Sequence, residues 1–359
     1  MKMRNRLLTR PGFRLLLLAM LSVALLSCES VRYYSQAARG QLEILLGRKG
    51  IEALLRDDEL PAELRSKLET VLAIRQFAET RLALEVDDNY ATYVDLDREH
   101  VVWNVFAAQE FSTRAMEWCY PIAGCVSYRG YFSEPAALRY AQGLQAAGFD
   151  VYTGGVDAYS TLGWFDDSLL STVVNRADYQ LAGLIFHELA HQVVYLPGDT
   201  TFNESFATAV EREGVRRWLA NTRQSGLAAA AEQGLQRQQE FAQLVVAWRD
   251  RFAELYQQAL PAEVMRERKR VLQDELRAAY RELQESWGGY AGYDNWFAQP
   301  LNNAQLSTVG SYNDLVPEFA ALLDSHGGDM QAFFASVREL ADMPVAEREA
   351  RLLSLSMRD

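Results

Sequence analysis

Basic residues, cysteines and histidines are all scarce in this sequence. Its 359 residues include 36 Lys and Arg against 48 Asp and Glu, which gives a formal net charge of −12 at pH 7. A chain this acidic, without a basic groove or interleaved basic and aromatic residues, is not expected to bind nucleic acid. Internal repeats and low-complexity linkers are missing as well. Their absence favours one main domain with helical additions over two independent domains.

Two of the four histidines lie in one short motif. His187, Glu188 and His191 form an HExxH pattern within "LAGLIFHELAHQVV", whose apolar residues recur with helical spacing. Residues four apart lie on one face of a helix, so both imidazoles can bind one metal ion with Glu188 beside it. We therefore predict a zinc site. The alternative is a buried helix whose histidines are satisfied by polar partners in the core.

The third metal ligand is expected from the segment that follows. A metzincin would need a glycine and a third histidine shortly after His191, where the chain has Val194 and Pro197. We therefore predict the gluzincin arrangement, in which Glu204 on the next helix supplies an oxygen ligand and water takes the fourth position. The turn "YLPGDTT" reverses the chain, and Asn203 is the predicted N-cap. The alternative is that Glu204 is a solvated acid favoured by the helix dipole.

A zinc hydrolase also needs a base and a donor for the developing oxyanion. Zinc polarises a carbonyl and lowers the pKa of water towards about 7, and Glu188 would take the proton and pass it to the leaving amine. For the oxyanion donor we favour Tyr312 over Tyr293 and His326. The alternative for Tyr312 is an ordinary core or surface tyrosine.

Two further residues follow Glu204 at helical spacing. Thr208 and Glu211 lie one and two turns later and could orient a ligand histidine. For Glu211, however, we favour the interpretation of a charge on the protein surface.

The N-terminus has the layout of an export signal. Five basic residues precede an apolar run from Leu15 to Leu26, which is too short to span a bilayer comfortably. The run ends in "LLSC", which resembles the lipobox of bacterial lipoproteins and implies cleavage before Cys28 and its acylation. The alternatives are a secretory signal cut near Ser27 or an uncleaved anchor. In the lipoproteins that this motif resembles, Asp after the cysteine usually retains the protein at the inner membrane. The chain has Glu29 there, so the resemblance implies delivery to the outer membrane, facing the periplasm.

The remaining cysteines agree with an oxidising compartment. Cys119 and Cys125 flank a Pro-Ile-Ala-Gly turn and are expected to form a short-loop disulfide. The competing interpretation, a second metal site, lacks further Cys or His nearby. Loss of residues 1–27 would remove five basic and no acidic residues, which takes the formal charge from −12 to −17.

The chain as a whole is predicted to be α+β and mostly helical, with a zincin-like catalytic domain, a small mixed sheet and a helical hairpin arm broken at Pro261. A strand in "AYSTLGWF", before the HExxH helix, either binds substrate backbone or is purely structural. The predicted parts are a signal peptide over 1–27, a helical lead-in over 28–90, the catalytic core over 91–220, the arm over 221–289, and a helical part over 290–359 that completes the cleft.

Several longer segments carry a family resemblance: "VVWNVFAAQE", "GCVSYRGYF", "AYSTLGWFDD", "HELAHQ", "FNESFATAVE" and "LNNAQL". Together with the lipobox, they resemble the bacterial putative aminopeptidase family of zinc-dependent, gluzincin-like lipoproteins. The resemblance implies zinc ligands at His187, His191 and Glu204 and a catalytic acid/base at Glu188. The His191–Glu204 spacing is shorter than in thermolysin-like enzymes. The GAMEN motif of other zinc aminopeptidases is absent, so the aminopeptidase activity is implied by the resemblance alone.

The predicted function is therefore a zinc metallopeptidase that hydrolyses peptides in the bacterial envelope and is held to the membrane through Cys28. Two other functions remain open. One is an envelope scaffold or binding lipoprotein with a structural zinc, which would fill the zinc sphere with a fourth protein ligand. The other is a zinc hydrolase of a non-peptide amide, such as a cell-wall bond. The oligomeric state does not follow from the sequence.

Overall fold

Helices make up most of the described part of the chain. The structure is a computed structural model that describes residues 31–120, 124–158, 166–309 and 315–356. These residues form long helices and three small sheets, so the prediction of a mostly helical α+β protein is confirmed. Within these ranges, no helix combines the length and the apolar character that crossing a membrane would require.

The first half of the chain mixes short strands with helices. In chain order they are α1 (31–47), β1 (Lys49–Gly50), α2 (Ile51–Leu54), α3 (Ala62–Leu82), β2 (Thr92–Val94), β3 (Val102–Gln109), β4 (Trp118–Tyr120), β5 (Gly124–Val126), β6 (Arg129–Tyr131), α4 (Glu134–Ala146), β7 (Phe149–Val156), β8 (Leu169–Leu170) and α5 (Ser171–Val174).

The second half is built of helices. They are α6 (Asp178–Val193), α7 (Thr200–Asn221), α8 (Ser225–Tyr256), α9 (Ala262–Ser286), α10 (Asp294–Ala298), α11 (Asn303–Leu306), α12 (Val316–Ser325), α13 (Met330–Ala341) and α14 (Val345–Ser356).

The strands form three separate small sheets. In the largest, β3 lies between β6 and β7 and is antiparallel to both, and Ala137 and Ala141 of α4 pack on its apolar face. A second sheet has the order β1-β2-β8, with β1 antiparallel and β8 parallel to β2. The third is the β4–β5 hairpin. Most of the predicted strand "AYSTLGWF" lies at residues 159–165, outside the described residues.

The main core surrounds the helix pair α6 and α7. Apolar side chains of α3, α12 and α13 pack against this pair, and the large side chains Phe186, Phe206, Phe319 and Phe333 are fully buried there. Phe77 of α3 meets both helices, with its ring 6.0 Å from Phe186 and 5.2 Å from Trp218 between centroids. The N-terminal lead-in is thus part of the same core that supports the HExxH helix.

Two glycines allow α6 and α7 to approach each other closely. A Cβ added at Gly214 of α7 would lie 2.5 Å from a ring carbon of Phe186 and 3.0 Å from Leu82. A Cβ at Gly183 of α6 would lie 3.1 Å from a carboxylate oxygen of Glu211. Because a core packed this tightly cannot accommodate extra atoms, both positions require glycine, which has no side chain.

Replacing Gly214 with Val is therefore expected to destabilise the fold by about 1–3 kcal/mol, the usual cost of overpacking a core. Urea unfolding of the two proteins measures the difference. The matched control is Gly226→Val on α8, where an added Cβ meets nothing within 4 Å. Equal stabilities for the two variants would contradict the close packing at Gly214.

The predicted helical hairpin is present as α8 and α9, and it has a hydrophobic core of its own. Phe241, Val245 and Phe252 of α8 pack against Leu276 and Tyr280 of α9, with α10 and α11 at one side. The proline that separates the two helices, Pro261, is the N-cap residue of α9. We refer to α8 and α9 as the arm.

The "LNNAQL" segment joins the arm to the largest sheet. Asn303 is fully buried: its amide donates to the carbonyl of Glu110 (2.9 Å) and accepts from the Tyr256 hydroxyl (2.9 Å). Its backbone N–H donates to Asp150 (3.0 Å), which is paired with the buried Lys269 of α9 (2.6 Å). Buried charges and amides of this kind need partners, and here sheet and arm supply them to each other.

Candidate metal centre and cleft

The turn between α6 and α7 positions the predicted third ligand. Helix α7 begins at Thr200, one turn earlier than predicted, and Asp199 caps it by accepting a backbone N–H of the first turn. The prediction of Asn203 as N-cap was wrong: its side chain lies inside the helix and bonds both the N–H and the C=O of Leu196, each at 2.8 Å. An amide can satisfy both groups at once. This clamp holds the turn against the helix at the level of Glu204.

The three predicted ligands meet where α6 and α7 cross. The Nε2 atom of His187 lies 3.3 Å from Oε2 of Glu204, and Nε2 of His191 lies 3.7 Å from Oε1. The ligand atoms of all three residues lie within 4.8 Å of one another. Two ligands of a tetrahedral zinc ion, each bound at about 2 Å, are separated by about 3.3 Å. Two imidazoles and one carboxylate therefore converge at the scale that a metal ion requires.

Glu211 orients the first of these histidines. Its Oε2 accepts a hydrogen bond from Nδ1 of His187 at 3.1 Å. The favoured interpretation of Glu211 as a surface charge was therefore wrong, and the alternative holds. Gly183, one turn before His187, leaves the room that the Glu211 carboxylate occupies. Thr208 makes no hydrogen bond to either histidine within the described ranges.

The charges in the cluster also fit a cation. Burial lowers the pKa of His187, but hydrogen bonds to Glu204 and Glu211 outweigh it and raise that pKa to about 10. For His191, burial and the charge on His187 lower the pKa to about 4, so its imidazole stays neutral. Burial would raise the pKa of Glu204, but the two histidines hold it below its usual value. The cluster thus places positive charge between His187 and Glu204, where a divalent ion would serve the same purpose.

Because Nδ1 of His187 donates to Glu211, its Nε2 faces Glu204 with either a second proton or a lone pair. A lone pair directed at a carboxylate is favourable only with a cation between them. The donor set of two imidazoles and one carboxylate is the one that zinc takes in open, three-ligand protein sites. The residues present therefore fit this metal.

Replacing Glu211 with Ala is expected to lower zinc affinity by about 10–100-fold, the usual effect of losing a carboxylate that orients a ligand histidine. Competition against a chelator of known zinc affinity measures the change. The control is Glu213→Ala on the same helix, since Glu213 pairs with Arg216 and Arg217 instead (2.6 Å each). Equal affinities in the two variants would rule out this role for Glu211.

An open cleft of about 580 Å³ adjoins the cluster. His187 and Glu188 of α6 line it on one side, and residues of α8 and of the α9–α10 loop, including Phe241 and Tyr293, line the other. Its volume is typical of pockets that bind small organic ligands. The cleft thus gives a ligand access to Glu188 and to one histidine of the cluster.

The three candidates for the oxyanion donor differ in position. Tyr312 lies outside the described residues and stays a prediction. Tyr293 lines the cleft, and burial together with Tyr290 raises its pKa to about 12, so its hydroxyl stays protonated and able to donate at neutral pH. His326 bonds Ser336 at 2.9 Å and does not line the cleft.

Two tyrosines near the cluster were not predicted from the sequence. Tyr90 is 5% exposed, and burial together with the charges of Glu188 and Asp167 raises its pKa. Tyr195 lies 6.2 Å from His191 between ring centroids, and burial with the charge of Glu204 raises its pKa. Both are brought to the site by tertiary packing, and neither belongs to a sequence motif that would have identified it.

Two of the three cysteines, Cys119 and Cys125, lie within the described residues. Cys119 and Cys125 stand opposite each other in the β4–β5 hairpin and are joined by a disulfide. Cys28 lies outside the described residues, so its acylation stays a prediction.

Fold and site together describe a mostly helical α+β protein in which two crossing helices present a His-His-Glu cluster, suited to a metal ion, at the side of a cleft. The chain matches the family described as "Putative aminopeptidase" over residues 32–352, and it belongs to that family. The resemblance seen in its sequence motifs is thereby confirmed. No curated protein and no solved structure matches the chain.

Proposed function

We propose that the protein is a zinc-dependent metallopeptidase with a zincin-like catalytic centre, and an aminopeptidase as its family description suggests. The observation that carries the proposal is the meeting of His187, His191 and Glu204 beside an open cleft that Glu188 also lines. A family description alone indicates a peptidase. The cluster adds the metal class, because its two imidazoles and one carboxylate are typical ligands of catalytic zinc.

The residues of the chain have distinct tasks in this proposal. Zinc, when bound by His187, His191 and Glu204, supplies a Lewis acid that polarises a carbonyl and makes water more acidic. Glu188 accepts the proton from the attacking water and delivers it to the leaving amine. Glu211 holds the His187 ring in one orientation and one tautomer. Tyr293 at the opposite wall, or Tyr312, donates a hydrogen bond to the developing oxyanion.

The number of ligands favours a catalytic over a structural metal. A structural zinc is normally enclosed by four protein ligands, whereas a catalytic zinc keeps one position open. Within the described ranges, the cluster contains three such residues. Glu211 also contacts the cluster, but it is bonded to the far nitrogen of His187. This supports an enzyme over a scaffold with a structural zinc.

We further propose that the protein is anchored to the bacterial outer membrane by lipid on Cys28 and faces the periplasm. The signal-like N-terminus and its "LLSC" motif support the anchor. The Cys119–Cys125 disulfide supports an oxidising compartment. Mass spectrometry of the N-terminal peptide of membrane-extracted protein tests this, and an unmodified Cys28 would refute the anchor.

The proposed activity is tested with full-length protein extracted in detergent. Metal analysis is expected to find zinc, and peptides with free amino termini are expected to be hydrolysed while N-blocked peptides are not. Cleavage of blocked peptides would instead identify an endopeptidase. Cleavage of peptidoglycan fragments alone would identify a non-peptide amide hydrolase. Bound zinc without any hydrolysis would favour a scaffold.

A further inference from the structure

We propose that the cleft beside Glu188 is a specificity pocket that takes a bulky apolar side chain of the peptide substrate, and that the arm forms its selective wall. The inference rests on the proposed peptidase function and names its substrate class. It assigns a role to α8 and the α9–α10 loop, for which neither the motifs nor the metal cluster accounts.

The pocket lies between the α6–α7 pair and the arm. Helix α8 starts beside the beginning of α6, where Ala231 packs with Val215 against Tyr179. Phe241 lies ten residues further along, about 15 Å in helix rise, and lines the cleft together with His187. The arm wall therefore faces the part of α6 that carries His187 and Glu188, and we infer that a side chain held there belongs to a residue near the bond that is cut.

Part of the lining of this cleft is apolar and aromatic, and the rest carries charged and amide side chains. Leu184 contributes from α6, Val215 from α7 and Leu235 from α8. At the far side, the ring of Tyr293 stacks on Phe241 with centroids 4.1 Å apart, which fixes the aromatic wall. An aromatic and aliphatic wall of this kind is a typical contact surface for apolar ligand groups.

The charged groups that line the cleft are mostly engaged with the protein. Glu211 is bonded to His187, and Arg176 is paired with Asp157 at 3.2 Å. Arg212 is the exception: its Nε is buried without a hydrogen-bond partner within the described ranges. It also lines a second groove, on the side of α12. An acidic substrate side chain drawn to Arg212 is thus the rival occupant that a test has to separate.

Gly234 provides a direct test of the pocket. It lines the cleft on α8, and a Cβ added there meets nothing within 4 Å. A large residue at this position would project into the cleft without disturbing the core. Gly226 on the same helix has equally open surroundings but does not line the cleft, so it provides the matched control.

The experiment compares tripeptides in which one position carries Ala, Leu, Phe or Glu, using full-length protein and its Gly234→Trp and Gly226→Trp variants. The wild-type protein is expected to prefer Phe or Leu over Ala by at least about tenfold in kcat/KM, the usual gain from filling an apolar pocket. Gly234→Trp is expected to reduce that ratio at least about tenfold, and Gly226→Trp to leave it unchanged. The position that responds identifies which side of the scissile bond the pocket serves.

A binding measurement separates this inference from the proposed function. Calorimetry of the Phe, Ala and Glu peptides with the Glu188→Gln variant needs no turnover, and Gly234→Trp in that background is expected to remove the preference for Phe. Equal binding of both peptides, or no binding, would overturn the pocket even if hydrolysis is observed. A preference for the Glu peptide would overturn it in favour of Arg212. Selective binding without hydrolysis in the wild-type protein would retain the pocket and refute the peptidase.

Discussion

Replacing Glu188 with Gln is expected to lower kcat for peptide hydrolysis by about 100- to 10,000-fold, the usual contribution of a general acid–base residue. Glutamine has nearly the same shape as glutamate but cannot accept a proton at neutral pH. Glu188 is not a member of the His-His-Glu cluster, so the variant is expected to keep its zinc. Steady-state kinetics and metal analysis of the same preparation measure the two effects.

The matched control for this experiment is Glu213→Gln, which makes the same chemical change on the neighbouring helix. Glu213 forms ion pairs with Arg216 and Arg217 and does not line the cleft. Its kcat should equal that of the unchanged protein. Hydrolysis at the normal rate by the Glu188 variant, with zinc bound, would refute the role of Glu188 as the base.

Replacing Glu204 with Gln is expected to have the largest effect on metal binding. Glu204 is the only carboxylate in the three-residue cluster, and its two oxygens face one imidazole nitrogen each, at 3.3 and 3.7 Å. An amide of the same shape keeps an oxygen but loses the negative charge that balances the ion. The loss of zinc affinity should therefore exceed the roughly 10–100-fold expected for a residue that only orients a ligand.

Glu211→Ala provides the comparison, measured by the same chelator competition at the same pH. The order of zinc affinities should be unchanged protein, then Glu211→Ala, then Glu204→Gln. If Glu204→Gln binds zinc as tightly as the unchanged protein, Glu204 is not a ligand. If Glu211→Ala instead bound zinc more weakly than Glu204→Gln, Glu211 would be the ligand, and the imidazole ring of His187 would have to flip.

Local patterns were sufficient to predict the helices of this chain and three residues of its cluster. The apolar spacing around His187 and His191 predicts α6 because helical periodicity is a property of the segment itself. Pro261 likewise marks the break between α8 and α9, since proline cannot continue a helix interior. The third residue, Glu204, followed from the gluzincin arrangement together with the turn "YLPGDTT", which reverses the chain so that the next helix can lie against α6.

The wrong predictions concern residues whose role depends on tertiary packing. Asn203 is a good N-cap residue by type, but the cap belongs to Asp199, and the Asn203 amide bonds Leu196 instead. Glu211 has the sequence surroundings of a solvated charge. It reaches His187 only because Gly183 lets α7 come close to α6, and a single sequence does not show that distance. Cys28 and Tyr312 stay predictions.

The arm is joined to the sheet through Asn303 and Asp150, and it has a hydrophobic core separate from the one around α6 and α7. The proposed selective wall and the proposed metal centre therefore belong to different hydrophobic cores. On the proposed function, we expect mild heating or denaturant to loosen one core before the other, so that the protein would keep a bound metal ion after losing its preference among peptides. Because the two cores are separate, substitutions in the arm could change the substrate preference of such a protein during evolution and leave its metal centre unaltered.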